Sequence, residues 1–95
     1  MPTPSPIAKI LIADDEPLFL KTTGELLTKA GYEVVACDNG EDAILKAKSV
    51  RPDLILMDVV MPGLNGFQAT RAISRDPDTR AIPIILCTSK SQETD

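Results

Sequence analysis

Four short apolar runs alternate along this chain with longer segments in which apolar residues recur every three or four positions. The first run, residues 7–13, suits a central strand buried on both faces of a sheet, and the weakly alternating, β-branched run at residues 33–37 also suits a strand. The segments between the runs suit amphipathic helices. Strands joined by helices pair in parallel, because a crossover connection returns the chain to the same edge of the sheet. We therefore predict an α/β fold of order β-α-β-α-β-α-β with a doubly wound parallel sheet. The predicted strands are residues 7–13, 33–37, 54–57 and 84–87.

Helix boundaries follow from residues that start or stop helices. Pro17 suits the first turn of the first helix, and Gly31 suits its C-terminal stop. The third helix is predicted to begin near Gly66 and to end before Pro77. Its predicted inward-facing residues are Phe67, Thr70 and Ile73.

Composition limits the classes of protein to consider. The length of 95 residues predicts one domain, at residues 7–95, preceded by a flexible proline-rich tail at residues 1–6. The net charge of -4 argues against nucleic acid as a direct partner, and no apolar run is long enough for membrane insertion. With no signal-peptide pattern, we expect a cytoplasmic protein in which Cys37 and Cys87 are reduced and bind no metal.

Carboxylates follow two of the predicted strands at the point where each strand ends. Asp14 and Asp15 follow the first, and Asp58 follows the third. If the strand order is 2-1-3-4, these two strands flank the point where the winding reverses, which is where such sheets bind ligands. A cluster of carboxylates repels itself unless a cation neutralises it, and oxygen ligands of this kind suit Mg²⁺. Asp58 could then act as a nucleophile toward a phosphoryl group, and the hydroxyl of Thr88 could contact that group.

These residues together resemble the receiver domains of two-component response regulators. The resemblance runs from about residue 7 to residue 95 and implies the CheY-like, flavodoxin-like strand order 2-1-3-4. The stretches 60–71 and 88–95 are most similar to small stand-alone receivers of twitching-motility and phototaxis-type chemosensory systems. The motifs that carry the resemblance are Asp14-Asp15, Asp58, Met61-Pro62-Gly63, Asn65-Gly66 and Thr88.

The resemblance assigns a role to each matching residue. It implies that Asp58 is the phosphoacceptor, which takes its phosphoryl group from a phosphohistidine on a sensor histidine kinase. Asp15 would bind Mg²⁺ directly, Asp14 would act mainly through water, and the backbone carbonyl of Val60 would complete the protein ligands. Thr88 would swing toward the phosphoryl group and switch the conformation of the domain, which an unknown output protein then reads.

The family pattern also implies that a complete domain continues beyond Asp95 through a helix, a strand and a further helix. That continuation would carry a phosphate-contacting lysine, and Lys90 is expected to be solvent-exposed rather than to replace it. Without the neighbouring strand, strand four would be an open edge. Because open edges pair with other strands, we expect self-association through strand four.

Three other functions remain open or are excluded. A truncated receiver could act as an interaction or dimerisation module that is not phosphorylated. A metal-dependent phosphatase would place two acidic groups two residues apart after strand one, whereas Asp14 and Asp15 are adjacent. No Gly-rich loop ending in Gly-Lys-Ser/Thr is present, so a P-loop NTPase is excluded. A receiver is not an enzyme in the usual sense, although it helps catalyse its own phosphorylation and dephosphorylation.

Overall fold

A computed structural model describes residues 8–87, which form a four-stranded sheet with three helices. The strand order is β2-β1-β3-β4, and each neighbouring pair is parallel. The predicted α/β fold and its strand order 2-1-3-4 are therefore confirmed. The elements are β1 (Lys9–Ala13), α1 (Pro17–Lys29), β2 (Glu33–Cys37), α2 (Gly40–Val50), β3 (Leu54–Asp58), α3 (Gly66–Arg75) and β4 (Ile84–Cys87).

The central strand β1 is buried on both faces of the sheet. Successive side chains of a strand point to opposite faces, so Leu11 and Ala13 lie on one face and Ile10 and Ile12 on the other. All four side chains are buried. This arrangement needs helices on both faces, and it explains why β1 is apolar at nearly every position.

The larger core lies between the sheet and the helices α2 and α3. Each of these helices turns small residues toward the strands, and small side chains allow the helix backbone to approach the sheet closely. The buried cluster contains Leu11, Ala13, Cys37, Ala43, Ala47, Ile55, Met57, Met61, Ala69 and Ile73.

Helix α1 covers the opposite face and contacts β1 and β2. It has no fully buried residue, and its contact with β2 is close at Gly24, where an added Cβ would lie 3.8 Å from Cγ1 of Val34. The helix begins at Pro17, and Gly31 follows its end with a φ of 103°, as the capping signals predict.

The prediction for the inward face of α3 is wrong at Phe67. That side chain is 53% exposed, whereas the buried residues of α3 are Gly66, Ala69 and Ile73. Ile73 therefore faces the core as predicted, and Thr70 is only partly buried. Strand β3 is one residue longer than predicted, so Asp58 is its last residue.

Within residues 8–87, β4 pairs only with β3, which leaves its other edge open in this part of the chain. Ile85 is 52% exposed and Leu86 is 38% exposed. Cys37 and Cys87 are both free thiols. No helix in this described range has the length and hydrophobicity that a bilayer-spanning segment needs. The predicted tail at residues 1–6 lies outside the described residues.

Candidate metal and phosphoacceptor site

The register of β1 and β3 brings the predicted acidic residues to one edge of the sheet. Ala13 of β1 is level with Met57 of β3. Because the two strands are parallel, the residues that come next, Asp14 and Asp58, emerge side by side at the carboxyl edge. Asp15 follows in the loop before α1. Asp14, Asp15 and Asp58 are therefore close in space because they lie at the ends of two neighbouring parallel strands.

The three carboxylates lie close enough to share one cation. One oxygen from each of Asp14, Asp15 and Asp58 lies within 4.8 Å of the others. Asp14 is 1% exposed and Asp58 is 2% exposed, whereas Asp15 is exposed to solvent. The cluster therefore has two buried oxygen donors at its base and one donor open to water.

Backbone hydrogen bonds hold the acidic residues in place. The amide of Asp14 donates to the carbonyl oxygen of Cys37 over 3.1 Å, which extends the pairing of β1 with β2 by one residue. The amide of Glu16 donates to Oδ1 of Asp14 over 2.8 Å. Near Asp58, the amide of Val60 approaches Oδ1 at 3.4 Å, a long contact at the limit of a hydrogen bond.

The pKa of a neighbouring thiol is affected by the negative charge at this edge of the sheet. Cys87 ends β4 and is level with Asp58 in the β3–β4 pair. Burial, and then the negative charges of Asp58 and Asp14, raise the pKa of the Cys87 thiol above its ordinary value of 9.0. A bound cation would offset the same field, because an opposite charge at close range favours ionised carboxylates.

The donor set fits a hard divalent cation. Mg²⁺ takes oxygen ligands at about 2.0–2.1 Å and keeps several waters, so a few carboxylates at a partly open edge suit it. Asp14, Asp15 and Asp58 supply such oxygens, and this acidic cluster could hold Mg²⁺. Val60 is exposed in the loop after β3, so the edge beside it is open to solvent. The carbonyl of Val60 as a further ligand stays a prediction.

The structure brings together Asp14, Asp15 and Asp58 as predicted, while Thr88 lies outside the described residues. Two neighbours of the site were not identified from the sequence. Cys87 was predicted only to be reduced and to bind no metal, although its place at the end of a strand is the signal that puts it beside Asp58. Gly66 was predicted to start α3 and belongs to the Asn65-Gly66 motif, but its direct contact with the backbone of Asp58 was not predicted.

A separate groove of about 720 Å³ lies on the surface of α1 and β2. Leu20 and Gly24 of α1 and Val34 and Ala36 of β2 form part of its wall. None of the three clustered aspartates lines it, so the groove is not part of the acidic site.

Comparison with known proteins identifies one family. Residues 10–95 match the response regulator receiver domain. The chain is 49% identical over 89 residues to the protein PilH of Pseudomonas aeruginosa, and the alignment covers 94% of this chain and 74% of PilH. The resemblance to receiver domains is therefore confirmed over nearly all of the chain.

Solved structures agree with this assignment. The N-terminal domain of a response regulator receiver protein from Methanoculleus marisnigri has a TM-score of 0.85 at 30% identity, covering 93% of this chain and 72% of that one. The receiver domain of a sensor histidine kinase from Pseudomonas aeruginosa, solved with a magnesium ion coordinated in its active-site cleft, has a TM-score of 0.81 at 34% identity. That alignment covers 85% of this chain and 66% of the kinase domain. The chain therefore belongs to the receiver domains of response regulators, the family that serves two-component signalling.

Proposed function

We propose that this receiver accepts a phosphoryl group on Asp58 in the presence of Mg²⁺. The observation that carries the proposal is the approach of three carboxylate oxygens to within 4.8 Å at the carboxyl edge of the sheet. Bound Mg²⁺ would neutralise the charge that otherwise repels an incoming phosphoryl group. The proposed protein ligands are the carboxylates of Asp14, Asp15 and Asp58 and the backbone carbonyl of Val60.

The three carboxylates differ in ways that favour Asp58 as the nucleophile. Oδ1 of Asp14 already accepts the amide of Glu16, which holds that carboxylate in place. Asp15 is exposed, as suits a metal ligand that shares the ion with water. Asp58 is buried at the end of β3, which lies between β1 and β4 in the sheet. The resemblance to receiver domains implies the same role for Asp58.

The phosphodonor we propose is a phosphohistidine on a sensor histidine kinase. A carboxylate oxygen of Asp58 attacks phosphorus, and the phosphorus–nitrogen bond to the imidazole breaks. The bonding electrons remain on the imidazole nitrogen, which takes up a proton from solvent, so histidine leaves neutral. Because such kinases use ATP, the proposal places the domain in the cytoplasm, where the free thiols of Cys37 and Cys87 stay reduced.

Conformational switching forms the second part of the proposal. We propose that Thr88 responds to the phosphoryl group and that an output protein reads the change. The relatedness to PilH, and the resemblance to receivers of twitching-motility and phototaxis-type systems, lead us to propose a chemosensory kinase as the donor. Apart from this phosphoryl transfer and the hydrolysis of the aspartyl phosphate to aspartate and inorganic phosphate, we propose no catalytic activity.

The experiment is phosphorylation of the 95-residue chain by a small acyl phosphate, followed by intact-mass measurement. With Mg²⁺ the wild-type chain should gain the mass of one phosphoryl group, and EDTA should abolish the gain. The variant Asp58→Asn should gain nothing. Asp38→Asn removes an exposed aspartate outside the cluster and should react like the wild type. A wild-type chain that gains no mass, or an Asp58→Asn chain that gains it equally, contradicts the proposal.

A second candidate function is an interaction module that pairs through β4. The observation behind it is the open edge of β4 within the described residues, together with the exposure of Ile85 and Leu86. Open edges present unpaired main-chain groups to other strands. Sedimentation equilibrium should then show a mass that rises with concentration, and Ile85→Lys should reduce the rise. A monomer mass at every concentration contradicts self-association.

A further inference from the structure

We infer that Gly66 is a positioning residue for the acidic site: it sets the path of the backbone at residues 58–60. This inference rests on the proposed function, because those residues supply the proposed phosphoacceptor and the proposed carbonyl ligand of Mg²⁺. Gly66 touches neither the metal nor the phosphoryl group in this scheme. It acts through the main chain on which both Asp58 and Val60 are carried.

Direct contact with the end of β3 is the first observation. A Cβ added to Gly66 would lie 2.2 Å from the carbonyl oxygen of Asp58 and 2.9 Å from its carbonyl carbon. It would also lie 2.8 Å from Cα of Val59. All three atoms are backbone, so no side-chain rotation can relieve the overlap. Only a residue without a Cβ allows α3 to begin this close to the phosphoacceptor.

Hydrogen bonds on both sides of Val59 are the second observation. The amide of Gly66 donates to the carbonyl oxygen of Val59 over 2.9 Å. The amide of Val59 donates to the carbonyl oxygen of Cys87 over 3.0 Å. The backbone of Val59 is therefore held by α3 through its carbonyl group and by β4 through its amide. Because the carbonyl of Val59 shares a rigid peptide plane with the amide of Val60, these bonds also orient Val60.

The start of α3 is itself fixed, which is the third observation. Oδ1 of Asn65 accepts the amide of Gln68 over 2.9 Å, and the side chain of Gln68 accepts the amide of Asn65 over 3.0 Å. This capping box satisfies amides that the first turn of a helix otherwise leaves without partners. Gly66 follows Asn65 directly, so the capped turn holds Gly66 against residues 58–59.

Metal coordination makes this placement matter. Mg²⁺ demands near-ideal octahedral geometry with short oxygen distances. A side chain at position 66 would force the helix and the end of β3 apart by about 1 Å, a displacement large enough to impair a positioned site by about 100-fold. Residues that orient metal ligands typically change metal affinity by about 10- to 100-fold when they are altered. We expect Gly66→Ala to weaken Mg²⁺ binding by an amount in this range.

The chain offers a matched control at Gly40. Gly40 is also buried, is also the first residue of its helix, and would also place a Cβ on a backbone carbonyl, 2.5 Å from the oxygen of Leu64. That overlap falls on Leu64 and not on residues 58–60. Gly40→Ala should therefore destabilise the fold through a comparable clash and leave the Mg²⁺ affinity within about threefold of the wild type.

The experiment is titration of the isotopically labelled 95-residue chain with MgCl₂, followed by amide correlation spectra that report folding and binding together. Gly66→Ala should retain dispersed amide signals and need about 10- to 100-fold more Mg²⁺ for half-saturation. Equal affinities in Gly66→Ala and the wild type overturn the inference, and so does an equal loss in Gly40→Ala. If the wild type does not bind Mg²⁺, the proposed metal site fails, which is a separate result.

A less disruptive variant tests the inference if Gly66→Ala loses its dispersed amide signals and so does not fold. Asn65→Ala removes the capping box without adding any overlap, so the first turn of α3 is less firmly held against residues 58–59. Its Mg²⁺ affinity should fall by up to about tenfold. An affinity equal to that of the wild type, in a folded Asn65→Ala chain, overturns the inference.

Discussion

Oδ1 of Asp14 accepts a hydrogen bond of 2.8 Å from the backbone amide of Glu16. This bond holds the carboxylate of Asp14, whose surroundings differ from those of the adjacent Asp15. Asp14 is turned inward and is 1% exposed, while Asp15 remains at the surface. The buried carboxylate is held by a backbone amide of its own loop, and the exposed one faces solvent. Two residues that look equivalent in sequence therefore contribute differently to one site.

Removal of one charge from the cluster should stabilise the metal-free domain. Like charges about 4 Å apart repel each other by about 1 kcal/mol in bulk water and by about 4 kcal/mol near a protein surface. This repulsion disfavours the folded state, which brings the charges together. Asp58→Asn keeps the shape of the side chain and removes its charge. We expect its free energy of unfolding, measured by urea denaturation in EDTA at low salt, to exceed that of the wild type by an amount in this range.

The effect should depend on metal and on position. Saturating Mg²⁺ should stabilise the wild type more than Asp58→Asn. A ligand that binds only the folded state stabilises that state, and the variant lacks one of the proposed carboxylate ligands. Glu25→Gln removes an equal charge from the exposed surface of α1 and should change the stability by less than about 0.5 kcal/mol. A metal-free Asp58→Asn domain that is less stable than the wild type would show that repulsion does not dominate in this cluster.

Strand positions were predictable from sequence because each strand is a short apolar or β-branched run bounded by turn and helix signals. Strands β2 and β4 have the predicted bounds, Glu33–Cys37 and Ile84–Cys87. The site followed from the same logic, since residues after parallel strands gather at one edge. The proximity of Asp14 and Asp58 was therefore predictable from the sequence alone.

The face of α3 was misplaced because small residues carry little hydrophobic signal. The buried residues are Gly66, Ala69 and Ile73, whereas the prediction used the larger Phe67 and the partly buried Thr70. One position along a helix rotates a side chain by about 100°. Close approach of α3 to the sheet selects glycine and alanine, so the bulkiest apolar residue was a poor guide to the contact.

Contacts between residues distant in sequence were also missed. Oδ2 of Asp53 accepts the amide of Lys9 over 2.7 Å, and the amide of Asp53 donates to the carbonyl of Lys9 over 2.7 Å. These bonds join the starts of β1 and β3, and neither was predicted from the sequence. The close approach of Gly66 to Asp58 is of the same kind. No local pattern encodes either contact, because each depends on two elements that have already packed.

The corrected face of α3 can be tested with two substitutions on the same helix. Ile73 is 1% exposed, so Ile73→Ala should lower the free energy of unfolding by about 2–5 kcal/mol through lost burial and the cavity left behind. Phe67 is 53% exposed, so Phe67→Ala should change it by no more than about 1 kcal/mol. Urea denaturation measures both. A larger loss at Phe67 than at Ile73 would contradict the observed face.

The cap of α2 should contribute measurably to stability. Oδ1 of Asn39 accepts the amide of Asp42 over 2.8 Å, which satisfies one of the free amides of the first turn. Asn39→Ala should therefore cost about 0.5–2 kcal/mol, as judged by urea denaturation. Asn39→Ser retains a side-chain acceptor and should recover most of that loss. If serine and alanine destabilise the domain equally, the hydrogen bond is not the source of the effect.

Stability should fall at alkaline pH because of Cys37. Burial raises the pKa of the Cys37 thiol from its ordinary value of 9.0 to about 11, so the folded chain holds the proton more tightly than the unfolded chain. This contribution is fully present below pH 9 and is lost as the pH rises through about 11. Cys37→Ala removes it, and every other ionisable side chain is common to the two chains. The free energy of unfolding of the wild type relative to Cys37→Ala should therefore decrease over this interval, and a difference that stays constant with pH would show that Cys37 is not the cause.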